Sequence, residues 1–81
     1  MGDDIRMIFA ANVRAARIKA GLSQEKLAEL ADVDRTYVSS LERCVYAASI
    51  DVVDRIARVL ELEAAELLTR STREGGLREG G

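Results

Sequence analysis

Phe9, Val13, Ala16 and Ala20 recur at steps of four, three and four, the spacing that stacks side chains on one face of a helix. Asp3 and Asp4 precede this run, where carboxylates suit the positive end of the helix dipole. Gly21 follows it, where glycine commonly ends a helix. The pattern predicts a first helix from about Ile5 to Ala20. Ser23 is a good N-cap for a short second helix, Gln24 to Ala31, although Lys26 replaces the acid or amide that would complete a capping box. Asp32 and Val33 interrupt the pattern, and Asp34 offers an N-cap before a third segment, Arg35 to Arg43. There Val38 and Leu41 share one side and Thr36, Ser39, Ser40 and Arg43 the other. As a strand the same residues would separate Val38 from Leu41, so the helical reading is preferred. Ser49 starts a fourth helix in which Ile50, Val53, Ile56, Ala57 and Leu60 repeat at helical spacing, with Val52 and Val59 adding a second stripe. A last helix is expected over Glu63 to Thr69. From Arg70 onward the chain is Ser, Thr, Gly, Arg and Glu with one leucine, which predicts a flexible tail.

The expected architecture is therefore all-α, a compact domain of five helices over residues 5–69 followed by a tail at 70–81. Composition agrees: Pro is absent, aromatics make up 4% of the chain, and Ala, Leu, Glu and Arg are abundant. At 81 residues the chain allows one domain, close to the size at which packing quality or a partner must support the core. One cysteine excludes an internal disulfide, and the lack of histidine excludes a zinc finger and removes the commonest general base. No nucleophile, base and oxyanion donors assemble in the pattern, so no enzyme, cofactor or metal is expected. No run approaches the roughly 18 apolar residues of a membrane span, and the N-terminus is acidic where a signal peptide would be basic. A cytoplasmic protein is the expectation. The formal charge of −2 argues mildly against nonspecific attraction to nucleic acid but does not exclude a small basic face.

The informative unit is the pair of short helices between Gln24 and Arg43. Ala28 is small enough for close helix approach, Asp32 tolerates a left-handed turn better than most residues, and Val33 and Val38 anchor both sides of the bend. Were the pair a helix-turn-helix, its first helix would cross the DNA backbone and its second would lie in the major groove. Asn12-Val13-Arg14-Ala15-Ala16-Arg17, then Gly21-Leu22-Ser23-Gln24-Glu25-Lys26-Leu27-Ala28, resemble the opening of an Xre-type, phage-repressor-like helix-turn-helix domain. Asp34-Arg35-Thr36-Tyr37-Val38-Ser39-Ser40-Leu41-Glu42-Arg43 resembles its recognition helix, and Ser49-Ile50-Asp51 with Arg55-Ile56-Ala57-Arg58-Val59-Leu60 the helix after it. Within that family Asp34-Arg35-Thr36-Tyr37 is similar to the controller proteins of restriction-modification systems.

The resemblance implies a transcriptional regulator that binds a pseudo-palindromic operator in double-stranded DNA as a homodimer. It assigns base reading to Arg35, Thr36 and Ser40. Ser23, Gln24, Tyr37, Ser39 and Arg43 fall to the DNA backbone, although half-buried packing is an equal reading of Tyr37. Arg17 and Glu42 become a structural ion pair between the first helix and the end of the recognition helix. Val52, Val59, Leu62 and Leu67 are the candidate dimer surface, with ordinary core as the competing reading. The loop Cys44-Val45-Tyr46-Ala47-Ala48 departs from the family, which carries glycine, basic residues and proline there. A left-handed cap at Cys44 would cost on the order of 1 kcal/mol relative to Gly, so the helix is expected to run on by part of a turn. The lone thiol itself is read as a small hydrophobe rather than a redox sensor. The missing cations leave open a second function, a protein-interaction module of the same fold, antitoxin-like or anti-repressor. No small-molecule effector site is evident.

Overall fold

A computed structural model describes residues 4–45 and 47–70; the expected tail beyond residue 70 lies outside them. Five helices follow in order: α1 (Ile5–Lys19), α2 (Gln24–Ala31), α3 (Arg35–Glu42), α4 (Ile50–Val59) and α5 (Ala64–Leu67). Side chains cap the starts of α1, α2, α4 and α5. Asp4 accepts from the Arg6 amide, Ser23 from that of Lys26 and Ser49 from that of Val52, each satisfying one of the orphan donors of a first turn. At α5 the Glu66 side chain reaches back to the Glu63 amide at 2.9 Å.

The helix ends share one device. Among the described residues φ is positive at Gly21 (76°), Asp32 (61°), Cys44 (61°) and Glu61 (60°), the positions that follow α1 to α4. The next residue in each case donates its amide back across the last turn: Leu22 to Arg17 O, Val33 to Ala28 O, Val45 to Ser40 O and Leu62 to Ala57 O, at 2.8–3.0 Å. This is the Schellman arrangement, in which a left-handed residue lets the following amide satisfy an otherwise unpaired carbonyl. The expected continuation of α3 past Arg43 is thereby corrected. Cys44 takes the left-handed conformation, and its amide bonds Leu41 O at 3.1 Å. Two extra backbone hydrogen bonds offset the conformational cost that argued against this cap.

One core joins all five helices. Val13, Leu27, Val38, Leu41, Ile56 and Leu67 are almost completely buried, and Phe9, Ala28, Ala31, Val53 and Ala57 complete the cluster. Leu67 is 1% exposed, so it is a core residue and is withdrawn from the candidate dimer surface. Its helix is a single turn whose inward position is taken by that leucine. Val52, Val59 and Leu62 are half-buried and pack against the same core. Asn12 fastens α5 in place: its side-chain amide donates to Leu67 O at 2.9 Å and Thr69 O at 2.8 Å.

Candidate nucleic-acid interface

α2 and α3 form the bent pair, with Asp32 in the left-handed conformation (φ 61°, ψ 46°) at the end of α2 and Asp34 opening α3. Ala28 and Val38 are buried where the two helices meet, and Val33 packs half-buried against them. Arg55 of α4 donates to Asp32 O at 3.3 Å and so holds the turn from behind.

The orientation of α3 is set by a polar network. Glu42 accepts from Arg17 Nε at 2.7 Å and Nη2 at 3.0 Å, a two-pronged pair. Arg17 Nη1 donates to Leu22 O at 2.9 Å, and Gln24 Nε2 donates to Glu42 Oε1 at 3.0 Å. Four segments are tied at one point: α1, the turn after it, the start of α2 and the end of α3. The two charged side chains are 12% and 3% exposed, and the hydrogen bonds it donates to Glu42 hold the Arg17 guanidinium above its ordinary pKa despite burial. The ion pairs Asp4–Arg6, Lys26–Glu29 and Asp54–Arg58 lie on the surface, where such pairs contribute little.

With Val38 and Leu41 inside, α3 turns its other side outward. Arg35, Thr36 and Arg43 are exposed, and Ser39 and Ser40 half-exposed. None of these side chains has a hydrogen bond or ion pair among the described residues. Thr36, Tyr37 and Ser40 line one open concavity of about 510 Å³ together with Asp34, and Arg35 is not part of its lining. Tyr37 is half-buried and packs on the core. Ser23 is exposed at the start of α2, its hydroxyl oxygen committed to the cap. Gln24 is half-buried, and its amide nitrogen carries a second hydrogen beyond the one given to Glu42.

Sequence reasoning missed two features. Gln24 belongs to the bracing network, a link that depends on α2 and the end of α3 meeting in space. Asp34 holds the N-cap backbone conformation, but its carboxylate makes no cap hydrogen bond. Among the described residues no group of three or more acidic, Cys or His side chains is placed to hold a metal ion.

A braced helical pair whose second helix turns Arg35, Thr36, Ser39 and Ser40 outward defines the helix-turn-helix class, and the helix-turn-helix family model matches residues 13–67. The chain belongs to the helix-turn-helix family. It is 38% identical over 73 residues to control protein C.BamHI of Bacillus amyloliquefaciens, covering 89% of this chain and 90% of that one. Among solved structures, a hypothetical transcription factor from Neisseria superposes with a TM-score of 0.86 at 35% identity, over 93% of this chain and 86% of the other. The restriction-modification controller protein C.AhdI from Aeromonas hydrophila superposes at 0.74 with 37% identity, over 76% and 94%.

Proposed function

We propose that the protein is a sequence-specific transcriptional regulator that places α3 in the major groove of operator DNA. The observation that carries this reading is the outward face of α3. The side chains of Arg35, Thr36, Ser39 and Ser40 are unspent among the described residues, while the helix beneath them is held rigid by buried Val38 and Leu41 and by the Arg17–Glu42–Gln24 network. Base reading falls to Arg35, Thr36 and Ser40. Arginine can give two hydrogen bonds to guanine O6 and N7, and threonine offers a methyl suited to thymine. Ser23, Gln24, Ser39, Tyr37 and Arg43 are proposed to follow the phosphates, with the amides at the start of α2 assisting. The similarity to control proteins supports a regulatory role.

A pseudo-palindromic operator calls for a homodimer. The surface best suited to it is an apolar groove of about 210 Å³ lined by Ile5, Phe9, Ala48, Ile50, Val53 and Leu68. Ile50 is 86% exposed there. Val45, in the adjoining loop, is also exposed. Contiguous apolar exposure of this kind marks an association site, and a twofold contact lets one patch serve both copies. The groove shares no residue with the α3 face, so both can be used together.

The acidic pair Asp32 and Asp34 beside α3 favours the second reading, a protein-interaction module of the same fold. Selection of bound duplexes from a random pool separates the two: a recurrent motif supports the regulator, and recovery of unselected sequence supports the module.

A further inference from the structure

We propose that Asp34 is itself a base-reading residue that selects cytosine in the major groove. This rests on the regulator reading above and adds to it the chemistry of one position in the operator.

Three observations carry it. The backbone of Asp34 has the N-cap conformation (φ −75°, ψ 143°), and its carbonyl accepts the first bonds of α3 from Tyr37 and Val38. Yet its carboxylate does not cap the helix, whereas Asp4, Ser23 and Ser49 all use their side chains for that purpose. Secondly, the exposed carboxylate has no hydrogen bond or ion pair with any described residue. Thirdly, it lines the same concavity as Thr36, Tyr37 and Ser40, so it borders the surface that two of the assigned base readers present.

A carboxylate in that place is restricted in its partners. It can only accept hydrogen bonds, and a phosphate offers neither a donor nor an opposite charge. Of the base edges in the major groove, guanine presents two acceptors and thymine an acceptor beside a methyl. Adenine offers a donor flanked by the N7 acceptor, which faces the second carboxylate oxygen unfavourably. Cytosine presents its N4 amino group alone. Asp34 therefore favours a C·G pair and disfavours the other three, while its charge weakens attraction to DNA in general.

The test is duplex selection followed by competition binding with the full-length protein and two variants. The wild type is expected to recover sites with cytosine at one position of each half-site, preferred by about fivefold or more over the other bases. Asp34→Asn is expected to redirect that position to adenine, since an amide can both accept from N6 and donate to N7. Asp34→Ala is expected to flatten it and leave the guanine preference due to Arg35 in place. Thermal unfolding should change little in either variant, because no native hydrogen bond is removed. A folded Asp34→Ala that binds every duplex more tightly with an unchanged base profile would show that the carboxylate acts through charge alone, and would overturn the proposal. So would a folded variant that binds no duplex. If the wild type enriches no motif, the regulator reading fails, and this inference with it.

Discussion

Arg17 and Glu42 show how one buried pair can place a reading surface. Their carboxylate and guanidinium are nearly enclosed, and every polar atom that faces inward has a partner. Removing one member leaves the other charge desolvated. Glu42→Ala is therefore expected to lower unfolding free energy by about 3–5 kcal/mol, read by urea denaturation. An effect below about 1 kcal/mol would show that water reaches Arg17 freely. Because the guanidinium is held above an already high pKa, the arginine stays charged throughout the ordinary pH range. Arg35 has the opposite character, exposed and uncommitted. Arg35→Ala should weaken binding to the selected site by about 1–3 kcal/mol more than binding to random duplex. Equal loss on both would remove its base-reading role.

At the scale of the elements, four helix ends among the described residues turn through a left-handed residue. Only one of them uses glycine. Cys44→Gly is expected to stabilise the fold by about 1 kcal/mol, since the conformation is already glycine-like and no core contact is lost. A thermal shift downward would show that the Cys44 side chain, whose Sγ lies 3.8 Å from Arg6 O, matters more to packing than the backbone does. The start of α1 is sensitive to acid for a simple reason. The Arg6 amide holds the Asp4 carboxyl below its ordinary pKa, so this cap is complete above the usual carboxylate range and is lost as pH falls through the lowered value.

These elements also show what was legible in advance. Apolar spacing located α1, α3 and α4 to within a few residues, because each buries a stripe against one shared core. The N-caps at Ser23 and Ser49 were legible too, since their chemistry is local. The end of α3 was not. Residue identity at Cys44 argued against a left-handed cap, and the two returning amide bonds that outweigh it depend on the path the chain takes next. Leu67 was misplaced for a related reason. In so short a helix the sequence pattern cannot say which apolar residue faces in, and only the packing of α5 against α1 and α4 decides it. The Arg17–Glu42 pair was expected from family resemblance, whereas the part of Gln24 in it required the fold.

For the molecule as a whole, two surfaces divide the work. The apolar groove around Ile50 is proposed to join two copies, and the face of α3 to read DNA. Ile50→Asp should convert a sedimenting dimer to monomer without unfolding it, because that side chain is 86% exposed and a charge there remains solvated in the monomer. A dimer of unchanged stability would move the interface elsewhere, with Val52, Val59 and Leu62 the next candidates. The formal charge of −2 and the absence of basic residues after Arg43 in the 44–48 loop predict a shallow dependence of affinity on salt. Arg43→Ala should reduce the slope of log K against log salt by about one unit; an unchanged slope would remove Arg43 from the phosphate contacts.

The central claim, that the outward face of α3 reads duplex DNA in symmetric pairs, is tested most directly by enriching bound sequences from a random duplex pool. The account predicts an inverted-repeat motif whose half-sites are centred about 34–36 Å apart or a multiple of that spacing, and loss of the motif when Arg35, Thr36 and Ser40 are replaced together by alanine. A pool that emerges without a motif, or a motif indifferent to those replacements, would contradict it.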